Sequence, residues 1–192
     1  MENKVVIFWF RRDLRLDDNV GLTHALKSGF RVLPVFIFDT TILNLLENKY
    51  DRRVDYIHQV LTLMNEQLHQ HGSGIKTFHG TPSEVFDTIA TTYAVEAVYC
   101  NHDYEPDAIR RDLSVKKQLS EKGIAFHSFK DQVVFEKGEV VKSDRSPYTV
   151  FTPYAKKWKE TLQINEYSVS IADNGKFVPM PPEQIHSLSA IG

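Results

Sequence analysis

Two short charged segments carry most of the chemistry this sequence offers. Arg11-Arg12-Asp13-Leu14-Arg15-Leu16-Asp17-Asp18 holds three arginines and three aspartates. Asn101-His102-Asp103-Tyr104-Glu105 places two carboxylates, an aromatic ring and an amide within five residues. Asp103 and Glu105 precede a helical pattern opened by Pro106, and a helix N-terminus favours carboxylates, so capping is their plain structural role. The functional alternative is that they accept hydrogen bonds from N–H or O–H groups of a planar polar ring, which suits them better than a phosphate would. His102 alone reads as an exposed or loop-packing histidine. The plain reading of Arg11–Asp18 is an ion-pair network that stiffens a loop and caps the next helix. Its alternative is a charged lip over a ligand crevice. Asp51-Arg52-Arg53 starts another helix with cations that oppose the macrodipole. A salt bridge accounts for them, or a reach toward a ligand or a neighbouring domain. Ser146–Tyr154 is rich in aromatics and prolines, a composition that packs against a partner inside or outside the chain.

Other chemistries are missing. There is no G-x-G-x-x-G, no G-x-x-x-x-G-K-[ST], no H-E-x-x-H and no G-x-S-x-G, so dinucleotide, P-loop, zincin and hydrolase readings fail. The loop Arg11–Asp18 contains no glycine, and its backbone is poorly suited to close wrapping of a pyrophosphate.

The elements that must position these segments follow from apolar periodicity. Val5–Phe10 and Val32–Phe38 are continuous apolar runs, read as strands buried on both faces. Pro34 is tolerated where a ladder donor is spare. Shorter runs lie at Ile75–His79, Val95–Cys100 and Ile124–Phe129. Between them, Val54, Ile57, Leu61, Met64 and Leu68 form one helical stripe within Asp51–His71. Thr81-Pro82-Ser83-Glu84 reads as a capping box with Pro at the first helical position, above Val85, Phe86, Ile89 and Tyr93. Glu105–Lys122 ends at Gly123, and Asn19–Ser28 ends at Gly29 with Asp17 or Asp18 as its cap. The alternation predicts a Rossmann-like, doubly wound, five-stranded parallel sheet with helices on both faces. Its ligands would sit at the carboxyl ends of the strands. Residues 1–131 form this domain. Residues 132–163 are expected as a connecting segment, with a hairpin over Val133–Lys142 and a short helix over Pro153–Gln163. Residues 164–192, with Pro179, Pro181 and Pro182, read as an extended linker.

Composition bounds the rest. The 192 residues carry 23 Lys and Arg against 25 Asp and Glu, for a net charge of −2. That argues against nucleic-acid binding by bulk charge. One cysteine, Cys100, excludes an internal disulfide and a cysteine-cluster metal site. No apolar run reaches the roughly 18 residues of a membrane span, and a strand-like run begins almost at once, so no signal peptide is expected. A cytoplasmic location and no membrane partner are the expectation.

Three motifs, in order, then point to a family. Val6-Ile7-Phe8-Trp9-Phe10-Arg11-Arg12-Asp13-Leu14-Arg15-Leu16, with Asp18-Asn19, resembles the opening of DNA photolyases and cryptochromes. Asn101, Asp103-Tyr104-Glu105-Pro106 and Arg111-Asp112 resemble their second signature. Pro147-Tyr148, Val150-Phe151-Thr152-Pro153-Tyr154 and Lys157-Trp158 resemble the third. The resemblance implies the light-harvesting N-terminal domain of an enzyme that repairs pyrimidine dimers with blue light. The antenna chromophore would be of the deazaflavin, folate or flavin type, or the antenna site would be empty. The catalytic FAD and most DNA contacts belong to a C-terminal helical domain, with which this chain would pair, so it is expected to hold no catalytic residue and no metal. By resemblance to deazaflavin-type members, the antenna contacts map to Phe36, Arg53, Asp103 and Glu105. Asp107 and Ala108 stand where folate-type bacterial members carry an Asn-Glu pair, a departure from that pattern. A cryptochrome photoreceptor fragment and a stand-alone nucleotide-binding module are the alternatives. Tyr148, Phe151 and Tyr154 are expected to form an exposed apolar face that docks on the flavin domain and favours self-association when bare.

Overall fold

The computed structural model describes residues 4–48, 50–162 and 176–191. Five strands, β1 (Val5–Phe10), β2 (Arg31–Asp39), β3 (Lys76–Gly80), β4 (Val95–Asn101) and β5 (Ala125–Phe129), form one sheet. Every pairing is parallel and the order is β3-β2-β1-β4-β5. The chain moves outward from β1 to β3 and returns to the other side of β1 at β4, so the reversal of strand order lies between β1 and β4. Helices α1 (Val20–Leu26), α3 (Arg52–His69), α4 (Pro82–Thr92) and α5 (Pro106–Glu121) supply the crossovers, with a one-turn α2 (Thr40–Leu43) after β2. The doubly wound expectation holds.

The pleat sorts the continuous apolar runs onto two cores. Val6, Phe8 and Phe10 join Leu22, Leu26, Leu61, Met64 and Leu68 from α1 and α3. Val5, Ile7 and Trp9 join Phe86, Ile89, Val115 and Leu119 from α4 and α5. A strand buried on both faces has no polar side to alternate with, which is why the sequence runs apolar. β3 pairs with β2 only from Val35 onward, so Pro34 sits where one flank of β2 has no β3 partner. Thr81 and Glu84 form the expected capping box on α4.

Three details differ from the sequence reading. The cap of α1 is Asn19, whose side chain accepts from the Leu22 N–H, rather than Asp17 or Asp18. Asp18 lies at φ +52, a left-handed turn residue that aims the chain into the helix. The expected hairpin over Val133–Lys142 contains no strand. Gly138 at φ +90 makes a turn there, and side-chain contacts rather than a ladder fix it: Lys130 pairs with Glu139, and His102 hydrogen-bonds Glu136. The Lys130 contact also keeps the Glu139 carboxyl below its ordinary range. Finally, the helix expected at Pro153 begins two residues earlier, as α6 (Phe151–Thr161). Pro153 sits in its first turn, where a missing N–H costs nothing. Gln163 lies outside the described residues.

Of the segment 164–192, residues 176–191 are described, and they lie extended against the sheet and α3. Val32 donates to the Lys176 carbonyl and accepts from the Val178 N–H, so Phe177 pairs beside β2 on the flank that β3 leaves open. Asn65 donates to the Glu183 carbonyl, and Lys76 pairs with Glu183. Phe177, Ile185 and Ile191 are buried in the α1/α3 core. No helix among the described residues is long and apolar enough to cross a membrane.

Candidate functional site

The carboxyl ends of β1 and β4 meet at the reversal point, the place where this class of fold opens its ligand crevice. Here it is filled by the chain's own polar groups. Asn101 is buried; its Nδ2 donates to Asp13 Oδ2 at 2.5 Å and Asn19 Oδ1 at 2.8 Å, and its Oδ1 accepts from the Gly21 N–H at 2.8 Å. Asp13 Oδ1 accepts from the Arg11 N–H at 2.8 Å. Gly21 permits this approach: a Cβ there would lie 2.6 Å from Asn101 Oδ1.

Arg11 is the keystone of the second half of this network. Its guanidinium donates to the Asp112 carboxylate and the Asn101 carbonyl. Its side chain is only 8% exposed. Burial works against the cation, and the charges around it, Asp112 and Asp13 among them, outweigh that and raise its pKa. Arg11 and Arg111 both lie 5.0 Å from the centroid of the Trp9 ring, a cation–π arrangement in a site largely closed to water. Arg15 pairs with Asp131 at 2.8 Å, and Asp131 accepts from the Val20 N–H at the start of α1. For Arg11 and Arg15 the ion-pair reading of the segment is therefore the right one, and Asp13 stiffens the loop through hydrogen bonds instead. Cys100, under Arg11, is buried and its thiol is pushed up to about 12 by that burial.

Arg12 differs: it points outward, 3.7 Å from Asp103 and 3.9 Å from Glu105. Asp103 Oδ1 accepts from the Glu105 N–H at 3.1 Å and its side chain is otherwise enclosed. Glu105 is the N-cap residue of α5 yet makes no side-chain cap bond, so its carboxylate is half-exposed and uncommitted to the helix. Of the four residues assigned by resemblance, the structure brings Asp103 and Glu105 together. Phe36 is buried against Phe38, ring centroids 5.0 Å apart. Arg53 is exposed and folds onto its own cap, Asp51, at 2.6 Å. That hydrogen bond holds the Asp51 carboxyl down at about 2. Among the described residues no hydrogen bond, ion pair or ring contact joins Phe36 or Arg53 to the carboxylate pair.

Asp103 also lines a cavity of about 880 Å³ between α5, β5 and residues 133–137. Sequence reasoning missed its far wall, because Val133, Phe135 and Lys137 were assigned to a hairpin. The signal available was the pair of apolar residues Val133 and Val134 followed by Phe135 in a segment too short of strand alternation. No group of three or more His, Cys, Asp or Glu side chains placed to hold a metal occurs among the described residues.

Comparison with known proteins gives this geometry its context. Residues 6–177 match the DNA photolyase family. A deoxyribodipyrimidine photo-lyase from a Synechococcus species is 30% identical over 97% of this chain, which covers 37% of that protein. Cryptochrome-2 of Arabidopsis thaliana is 34% identical over 93% of the chain, which spans 28% of it. An archaeal photolyase from Sulfolobus tokodaii, solved with two FAD molecules, superposes with a TM-score of 0.62 at 36% identity, over 68% of this chain and 30% of that one. The chain thus spans about a third of the length of these relatives, and it belongs to the DNA photolyase family.

Proposed function

We propose that the chain is the light-harvesting N-terminal domain of a photolyase, holding an antenna chromophore at the carboxyl edge of its sheet. The observation that carries this is the Glu105 carboxylate, uncommitted to its helix, beside the enclosed Asp103 at the carboxyl edge of the sheet, with Arg12 3.9 and 3.7 Å from the two. Two acceptors so placed fit a flat heterocycle with N–H or O–H donors. The filled crevice between β1 and β4 leaves no glycine-lined seat for a pyrophosphate. When bound, such a chromophore absorbs light and passes the excitation on. The work of this chain is to bind and orient it: Asp103 and Glu105 accept from its ring edge, Arg12 offsets part of their charge, and the resemblance adds Phe36 and Arg53 to the set.

In this reading the repair of pyrimidine dimers, the FAD and the contacts with damaged DNA belong to a C-terminal helical domain. The chain docks on it through Tyr148, Phe151 and Tyr154. Phe151 is 79% and Tyr154 36% exposed on α6, and Tyr148 packs edge-on to Tyr154 at 6.1 Å. The bare domain is expected to self-associate through this face. The setting is cytoplasmic. The Sulfolobus photolyase, solved with two FAD molecules and described as implying a novel light-harvesting cofactor, supports a flavin as one candidate antenna beside the deazaflavin and folate types.

The test is absorbance of the purified longer protein carrying this domain. A visible band besides that of FAD, lost in Asp103→Ala and Arg53→Ala while FAD remains, supports the reading. An unchanged spectrum in both variants removes these residues from the site. The likeness to Cryptochrome-2 favours a second reading, a photoreceptor domain. Light-dependent splitting of dimers by the longer protein decides for photolyase, and its absence for cryptochrome.

A further inference from the structure

The cavity beside Asp103 has a chemistry of its own, set by residues that the antenna reading does not use. Three elements build it. The outward stripe of α5 presents Ile109 and Leu113 at helical spacing. Edge strand β5 turns Phe126 and Ser128 to the same side. The turn segment closes the third side with Val133 and Phe135. That third wall is fixed rather than loose: Glu136 meets His102, Glu139 meets Lys130, and the Phe135 ring packs edge-on to Trp158 at 5.4 Å. The volume, about 880 Å³, falls in the range of about 300–1,000 Å³ of small-molecule sites.

The walls leave apolar surface uncovered. Leu113 and Tyr104 are each 62% exposed, and Ile109 is 44% exposed. The charges lining the groove do not balance. Asp112 is paired with Arg11 and Arg111, Asp103 lies near Arg12, and Glu136 meets His102. Lys116 and Lys137 line the same groove, and neither makes an ion pair or hydrogen bond among the described residues. Two uncompensated cations thus face an apolar trough with three aromatic rings, Tyr104, Phe126 and Phe135, along it. A neutral apolar ligand would leave the lysines idle, and a small inorganic anion would leave the rings and aliphatic side chains wet.

We propose that the groove between α5, β5 and residues 133–137 is a second binding site, for a planar aromatic molecule that carries an anionic group. The ring lies on Leu113, Phe126 and Phe135, and the anion meets Lys116 and Lys137. The site is separate from the carboxylate pair in all but Asp103, and it does not depend on the antenna assignment.

A matched pair of dyes tests it: 1-anilinonaphthalene-8-sulfonate, and N-phenyl-1-naphthylamine, which has the same rings without the sulfonate. Each is titrated into the purified chain by dye fluorescence, and the site is located by amide shifts in the nuclear magnetic resonance spectrum. The expected result is one saturable site that shifts the Phe126 and Ser128 amides, with the sulfonate about tenfold or more the tighter ligand. The double variant Lys116→Glu/Lys137→Glu removes that preference and leaves the neutral dye within about twofold. Leu113→Asp, an exposed position that folding tolerates, weakens both dyes. Equal affinity for the two dyes in the parent chain overturns the proposal. So does an undiminished sulfonate preference in the double variant, or a shift pattern confined to Phe151, Tyr154 and Trp158.

Discussion

Asn101 offers the sharpest test of how the reversal point is held. Asn101→Ala deletes three hydrogen bonds in a buried position: two donated to Asp13 and Asn19, and one accepted from the Gly21 N–H. Three bonds at about 1 kcal/mol net each set the lower part of the cost. The Gly21 amide, backed by the buried Phe8 ring and the Cys100 carbonyl, is then left without its acceptor, adding about 1–3 kcal/mol. The expected loss is about 4–6 kcal/mol, a large part of the roughly 5–15 kcal/mol of a typical domain. Asn101→Asp separates the geometry from the charge. It keeps the acceptor for Gly21 but sets a carboxylate against Asp13, which raises the pKa of one member of the pair. A carboxyl whose folded pKa is raised disfavours the folded state as pH rises past its unfolded value. The aspartate variant is therefore least impaired near about pH 4 and worst at neutrality. Urea unfolding followed by far-ultraviolet circular dichroism measures both. The reasoning is refuted if Asn101→Ala costs under about 1 kcal/mol, or if the midpoint of Asn101→Asp, relative to the parent, does not move between about pH 4 and pH 7.

Three further outcomes are expected. Phe177→Ala, which empties the place of a buried ring at the open flank of β2, lowers stability by about 3–5 kcal/mol in the same assay; a loss under about 1 kcal/mol would mean that the returning segment merely rests on the surface. Cys100, with its thiol pushed up to about 12, stays unreactive toward a thiol-exchange reagent at about pH 8 until the chain unfolds; rapid labelling of the native protein would contradict its enclosure. Asp51, held down from 3.8 to about 2 chiefly by its Arg53 hydrogen bond, contributes its cap to α3 above pH 3.8 and loses it as pH falls toward 2. A nuclear magnetic resonance titration of the Asp51 carboxyl and the Arg53 amide reads this directly, and an ordinary midpoint in the native fold would dismiss the pair.

What was legible in the sequence was whatever local pattern encodes. The runs Val5–Phe10 and Val32–Phe38 became the central strands, and Thr81 with Glu84 capped α4, because burial on both faces and capping leave marks within a few residues. The one-turn α2 left no such mark, being only four residues capped by Asp39. The path of 176–191 was illegible for another reason. Phe177, Ile185 and Ile191 are isolated apolar residues among prolines, and their burial is decided by a gap beside β2 that only the folded sheet creates. The site divides in the same way. The motif segments fell where the topology rule put them, yet their types alone did not show that Arg11 and Asp13 fill the crevice while Arg12 and Glu105 face outward. That split follows from which side of the loop meets Asn101 and Asp112. The groove wall at Phe135 depends on contacts with His102 and Trp158, from distant parts of the chain.

The seat of Trp9 has an optical consequence. The chain has two tryptophans. Trp9 is 2% exposed, with a guanidinium 5.0 Å from its ring on account of Arg11 and another on account of Arg111. Trp158 is half-buried beside Phe135 on the α6 side of the groove. In a Trp158→Phe variant, emission would come from the sheet interior alone, blue-shifted and closed to iodide, and would report only whether the domain is intact. In Trp9→Phe the remaining emitter would stand at the edge of both the groove and the α6 face. Whatever settles there, a small aromatic anion or a neighbouring domain, would announce itself as a change of colour, without any label added to the protein.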